Sequence, residues 1–423
     1  MHKKVLMLIF LILLIFLSTS STMAEQITLK FMGWEASPLE TNSIKTGLNE
    51  FMTANPDIKV EYTPVPFDEF HSKLLTMMAG NSAPDVFFLA SAFYRDFAAR
   101  NVLVDLTDKV DSQIGIDNFI PSSQTKMLVN NKIYGVSSCT VSPVLFYNKN
   151  LFDKANLSYP PADPAKMWNW DKFVDVAKKL TIKSGKRTQQ FGVFGFQNFW
   201  WTTVLSNGAS VFTDDYSKIT LQEPAAQEAL QKIVDLRKKD GVAPAGNFLE
   251  NSGMNTAQML QTGKVAMVVD GSWALQELAK MDFPIGVAPL PKLKDTITTG
   301  QAHLHAIWKG SKHKEAAWKL VKFLSSSKYQ TNLVKVGLWM PNRKAMYTPE
   351  GIKKWYNPKV HPANFKALTD YFLNAKLEPS VIAPQEAWDV LTTEELEKIW
   401  YANQPVKEVT ESMQDRINNL LNQ

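Results

Sequence analysis

Apolar and polar side chains alternate along Ile27-Thr28-Leu29-Lys30-Phe31, the period of a strand with one buried face. The pattern predicts a strand ending at Gly33-Trp34-Glu35. A second strand is expected over Ile58 to Val65, beside Pro64 and Pro66, and a short buried one over Pro84 to Leu89. Between the first two, Ile44, Leu48, Phe51 and Met52 recur at helical spacing. Asn169 is placed to cap a helix that buries Phe173, Val174, Ala177 and Leu180. Pro224 opens another with Ala226, Leu230, Ile233 and Val234 inward. Lys312 to Leu324 puts Ala316, Leu320, Phe323 and Leu324 on one face. Val406, Val409, Met413, Ile417 and Leu420 make a single closing amphipathic helix. Val265 to Asp270 reads as a buried strand, and Gly271, Ser272 and Trp273 follow it directly. Strands alternating with helices predict an α/β architecture with mostly parallel sheets.

The extreme N-terminus departs from this pattern. Two lysines lie within Met1 to Lys4, Val5 to Leu17 is almost wholly Leu, Ile, Phe and Met, and Ser18 to Ala24 is small and mostly polar. A charged start, an apolar run too short to span a bilayer and a small-residue finish predict a signal peptide over residues 1–24. No cysteine stands near the expected cleavage point to accept a lipid, so the reading is a soluble exported protein. It is periplasmic or held at the cell surface. Cys139 is the sole cysteine, which rules out an intramolecular disulfide. The formal net charge of +5 comes from interspersed charges of both signs, which argues against a nucleic-acid-binding stripe. The 12 Trp and 24 Phe exceed what core filling usually requires, pointing to a surface that uses ring faces.

Several stretches, in order along the chain, carry a family resemblance. They include "NSAPDVFFLASAFYRDFAARNVLVDLTD", "KIYGVSSCTVSPVLFYNKNLF", "WNWDKFVDVAKKLT", "FWWTTVLSNGASVF", "LQEPAAQEALQKIVDL", "MLQTGKVAMVVDGSW", "VAPLPK" and "KEAAWKLVKFLSSSKYQ". Together they resemble the extracellular solute-binding proteins of carbohydrate ABC importers, the group similar to maltose-binding protein. The resemblance implies two α/β lobes joined by a multi-strand hinge. Residues 25–141 and 303–345 would form the first lobe, and residues 142–302 and 346–423 the second. Ligands of open α/β sheets sit beyond the carboxyl ends of strands, so the resemblance implies a cleft where two sets of strand ends face each other. It also implies a carbohydrate ligand, an ABC membrane permease as partner, a monomer, no cofactor and no chemistry on the ligand.

Trp273, just past a strand and a Gly turn, is then expected to project into the cleft, where an indole face complements the C–H face of a sugar ring. The alternative is packing against the helix that holds Ala274, Leu275 and Leu278. Trp34 and Glu35 stand at the corresponding end of the first strand, Trp34 either capping the core or facing ligand. Phe67 and Asp68 follow the second strand, Ser91 and Tyr94 the third, and Ser142 lies near the crossover. Trp200 and Trp201, if extended, would point to opposite sides, and Trp201 is taken as the ligand-facing one. His303, Trp339, Arg343 and Trp388 complete the expected ligand set; Arg343 has the fork to clamp a carboxylate or hydroxyls, or else joins a surface ion pair.

Catalytic patterns are weak. Ser123-x-x-Lys126 and Ser325-x-x-Lys328 resemble a serine–lysine motif, but Lys45-Thr46-Gly47 precedes them and no Ser-Asp-Asn intervenes. No Gly-x-Ser-x-Gly elbow or His-Glu-x-x-His helix is present. His303 and His305 share a strand face without a third ligand nearby, so no metal is expected. A glycosidase would need two suitably spaced carboxylates, and acidic residues are plentiful, so that class, a polysaccharide lyase and a binder of phosphorylated polyols stay open.

Overall fold

The computed structural model describes residues 26–422 save 36, 246, 301, 302 and 382; the side chains of residues 67, 68, 91, 92, 249, 250 and 381 are also outside the description, as is the expected signal peptide. Fourteen strands are present among the described residues: β1 (Ile27–Glu35), β2 (Ile58–Pro66), β3 (Val86–Ala90), β4 (Leu128–Val129), β5 (Lys132–Ile133), β6 (Gly135–Ser137), β7 (Pro143–Asn148), β8 (Ile182–Ser184), β9 (Arg187–Phe194), β10 (Val265–Gly271), β11 (Ile285–Ala288), β12 (Thr299–Gly300), β13 (His303–Ile307) and β14 (Lys376–Leu377). They build two five-stranded sheets, ordered β2-β1-β3-β13-β6 and β11-β7-β10-β9-β8, plus two small two-stranded patches. This is a two-lobe α/β fold.

Pairing corrects one expectation. Within the two five-stranded sheets only β1–β2, β1–β3 and β10–β9 are parallel; β13 and β7 run antiparallel to both of their neighbours. The sheets are mixed because β13 and β7 enter their sheets directly from interlobe crossovers, with no returning helix to restore the strand direction.

The local readings largely hold. The helix Pro38–Ala54 buries Ile44, Leu48 and Phe51, and the Ser37 hydroxyl caps it by accepting from Glu40 N. Asn169 caps Trp170–Leu180 by accepting from Lys172 N at 2.9 Å. The closing helix is two, Val406–Ser412 and Gln414–Leu421. Ser412 Oγ donates back to Val409 O at the break, the local competition that weakens a helix interior.

Three apolar clusters follow from the sheets. One packs β1, β2, β3 and β13 with Trp318, Leu320 and Leu324 of helix Lys314–Leu324. The other two cover the faces of the second sheet, one with Phe173, Leu230 and Ile417, the other with Leu275, Trp355 and Phe372.

Three histidines are locked into these interiors, with pH consequences. Burial holds His305 down to about 3 and His71 and His361 to about 4, against an ordinary 6.5. His305 lies in an aromatic box of Phe31 and Phe88, and neither ring nitrogen has a hydrogen-bond partner among the described residues. The unfolded chain takes up these protons near pH 6.5 and the folded one only near pH 3–4. Stability is therefore complete above pH 6.5 and is lost as pH falls below it, by about 2–3 kcal/mol per histidine at pH 4.5. Thermal unfolding at pH 7.5 and 4.5 should show a much lower midpoint in acid, and His305→Leu should decline less steeply. A midpoint unchanged between the two pH values would overturn this account.

Candidate functional site

The second sheet presents an aromatic wall at its strand ends. β10 ends at Gly271, and a side chain there would strike the six-membered ring of Trp273, so the glycine is what lets the indole fold back over the strand end. Ser272 N donates to Ser142 O at 2.9 Å, and Ser142 N donates to Ser272 Oγ at 3.3 Å. This double clip ties the turn to the crossover that feeds β7. Trp273 is the middle residue of a short 3-10 turn, Ser272–Ala274, and remains 36% exposed, among the most exposed large apolar side chains of the described residues.

From Trp273 the wall continues through Phe199, whose ring centroid is 6.2 Å away, to Trp201 at 5.8 Å from Phe199, and on to Trp388 at 5.8 Å from Trp201. Trp200 and Trp201 open a helix, Trp200–Ser206, and are not extended. Their rings still diverge, nearly perpendicular at 5.8 Å. Both are buried, Trp200 at 2% and Trp201 at 9% exposed; Trp200 stacks on Trp388 at 5.9 Å, and the indole N–H of Trp201 donates to Thr299 Oγ1 at 3.1 Å. Beyond Trp388 lies a cavity of about 310 Å³, with Gln197, Asn198, Glu397 and Tyr401 among its lining. On the other flank of Trp273 a polar cavity of about 170 Å³ is lined by Asn255, Asp270, Gln276 and Glu277. Burial pushes the Asp270 carboxyl up to about 6, against the opposing hydrogen bond from Gly271 N.

The first sheet supplies a second group. Trp34 is only 3% exposed and packs edge-on against Phe70 and Phe88, with the His303 ring at 4.5 Å; His303 in turn meets Trp339 at 4.7 Å. Trp34 and Trp339 are therefore core members, and half-buried His303 lies between them, its pKa held well below the ordinary value by burial. The half-buried Glu35 carboxylate accepts from the Thr41 hydroxyl. Ser37 Oγ, two residues past β1, donates to Gln276 Oε1 at 2.7 Å, three residues past Trp273. The ends of β1 and β10 thus face one another across the interlobe gap.

Two expected ligand groups are committed elsewhere. The Tyr94 hydroxyl accepts from Tyr134 N at 2.7 Å and Gly135 N at 3.1 Å, and donates to Met127 O at 2.8 Å. That uses up an inward-facing phenol, which belongs to the framework of the first lobe. Arg343 lays its guanidinium 3.7 Å from the Phe119 ring centroid and donates from Nε to Ser325 O at 2.9 Å. It lines a different cavity, with Lys322 and Ser326, away from the aromatic wall. The Ser142 hydroxyl is fully buried and has no partner among the described residues. Phe67, Asp68 and Ser91 open the helices Phe67–Ala79 and Ser91–Ala99, but their side chains lie outside the described residues. Sequence reasoning missed Phe199 and Thr299. The run Phe199-Trp200-Trp201 was a local signal for the first; nothing local marks the second.

Comparison with known proteins adds a family. Residues 37–331 match the model described as bacterial extracellular solute-binding protein. An uncharacterized lipoprotein in the oleD 5' region of Streptomyces antibioticus is 27% identical over 363 residues, 84% of this chain and 77% of that protein. An ABC substrate-binding protein from Listeria monocytogenes, solved in complex with cycloalternan, is 25% identical with a TM-score of 0.81, covering 93% of this chain and 98% of that one. Maltose-bound MalE3 of T. maritima is 26% identical with a TM-score of 0.77, covering 93% and 100%.

Proposed function

We propose that this chain, which belongs to the family of bacterial extracellular solute-binding proteins, captures an oligosaccharide between its lobes and delivers it to an ABC membrane permease. The carrying observation is the aromatic wall Trp273, Phe199, Trp201 and Trp388 at the strand ends that face β1. Ring faces in series suit successive sugar rings, and the polar groups beside them suit hydroxyls. The cycloalternan and maltose bound by the two structural neighbours support the same ligand class.

Within this reading Trp273, Trp201 and Trp388 stack on the ligand, Glu35 and His303 meet its hydroxyls, and buried Ser142 holds the turn that carries Trp273. Phe67, Asp68 and Ser91, which open the helices Phe67–Ala79 and Ser91–Ala99, are assigned to the ligand from the first lobe. Tyr94 and Arg343 act as framework. The lobes divide near residues 141, 302 and 345, and ligand contacts to both favour the closed state. The chain acts as a monomer without a cofactor, is exported by residues 1–24, and returns its cargo chemically unchanged. A lipid anchor is named for the Streptomyces relative, but no cysteine stands near the expected cleavage point here.

A thermal-shift screen against mono-, oligo- and acidic saccharides, with glycerol phosphate alongside, tests the ligand class. A neutral oligosaccharide should raise the unfolding midpoint, with about 2.7 kcal/mol of added stability at a hundredfold excess over Kd. It should be recovered intact by chromatography. Stabilisation by the polyol phosphate alone would overturn the carbohydrate reading, and shortened or unsaturated products would replace binding with hydrolysis or lyase chemistry.

A further inference from the structure

The helix Pro121–Met127 lies in the seam between the lobes, packed against β6 of the first sheet and against the β12–β14 patch. It carries Lys126 into that seam. Lys126 is 2% exposed, and its ammonium has no hydrogen-bond partner among the described residues. One turn earlier on the same helix, the Ser122 and Ser123 hydroxyls are likewise buried and unpartnered. Three titratable groups face the ammonium: Glu378 just past β14, Cys139 past β6, and His303 at the start of β13. Glu378 is itself buried and accepts from Ser380 Oγ at 2.7 Å. It sits between Phe372 and Ala383, which pack into the clusters on the two faces of the second sheet. With residues 346–423 in the second lobe as proposed above, a buried cation on helix Pro121–Met127 meets a buried acid carried from that lobe, and no hydrogen bond joins them.

We propose that Lys126 and Glu378 form a charge couple across the hinge that raises the energy of this lobe arrangement, so that the free protein favours other hinge angles and bound ligand supplies the difference. An ammonium without hydrogen bonds in the interior is disfavoured, and attraction to an acid beyond hydrogen-bond reach compensates only in part. Any rotation that parts helix Pro121–Met127 from β14 admits water and relieves it. Burial also pulls the Lys126 pKa down to about 7, opposed by Cys139 and Glu378, and raises that of Glu378. The contribution to binding rests on the solute-binding reading above; the bias on the hinge does not.

Lys126→Met keeps the linear stem and removes the charge. Small-angle scattering of the ligand-free variant should move toward the profile calculated from this structure, and its unfolding midpoint should rise. Glu378→Gln leaves the cation without its counter-charge and should move the profile the other way. An unchanged profile in both variants, or a lower midpoint for Lys126→Met as expected if buried water satisfies the ammonium, would overturn the proposal. Neither readout uses a sugar, so failure of the saccharide screen and failure of the hinge couple are separate results.

Discussion

Trp273→Ala should weaken oligosaccharide binding by about 30-fold to 1,000-fold while the protein still folds. The indole is 36% exposed, stands at the end of β10 and begins the wall that continues through Phe199. Its removal takes a ring-sized contact surface from the site, a loss of about 2–4 kcal/mol by analogy with aromatic hot spots in buried interfaces. Folding is spared for a physical reason: the vacated space opens to solvent, so water fills it and no dry cavity forms. Ala274, Leu275 and Leu278, which follow in the chain, are buried in the cluster that holds Trp355 and Phe372 and does not include the indole. A core tryptophan would behave in the opposite way, costing about 3–5 kcal/mol of stability. Calorimetric affinity and unfolding midpoint, measured on one preparation, separate the two. A large fall in midpoint with near-normal affinity would remove Trp273 from the ligand site.

What made Trp273 legible was local. A buried strand, a glycine and an aromatic within nine residues require only the strand geometry to be read, and the indole stands exposed just past the end of β10. The same holds for β1, β2 and the helix capped by Asn169, whose periodicities are self-contained. Features that depend on partners distant in sequence were not legible. The antiparallel course of β13 against β3 pairs residues more than two hundred positions apart, and no local pattern encodes its direction. Arg343 looked like a free clamp because its partners, Phe119 and Ser325, are remote. The sequence left Trp34 open between core and cleft and put Trp339 at the ligand; their packing on either side of the His303 ring makes both core. Trp201 is a mixed case. The divergence of the adjacent indoles was foreseen, but from an extended backbone; the helix produces it by its own turn, and Thr299, 98 positions on, orients the ring.

Tyr94 was expected at the ligand because it follows β3, and a single-atom change separates that role from the one its contacts describe. Tyr94→Phe preserves the ring and its packing, so no cavity opens. It deletes one oxygen that serves the N–H groups of Tyr134 and Gly135 and the carbonyl of Met127. The two N–H groups sit where β5 gives way to β6 and the carbonyl ends helix Pro121–Met127, and water has little access to replace the phenol, which is 1% exposed. Leaving buried backbone groups unpaired costs about 1–3 kcal/mol each, so the variant should lose roughly 2–5 kcal/mol of stability after partial relaxation. The unfolding midpoint should therefore fall by several degrees. Affinity for the saccharide identified by the thermal-shift screen should stay within about twofold of the parent, because a change of that size is under half a kcal/mol. Loss of affinity at an unchanged midpoint would return the Tyr94 hydroxyl to the cleft.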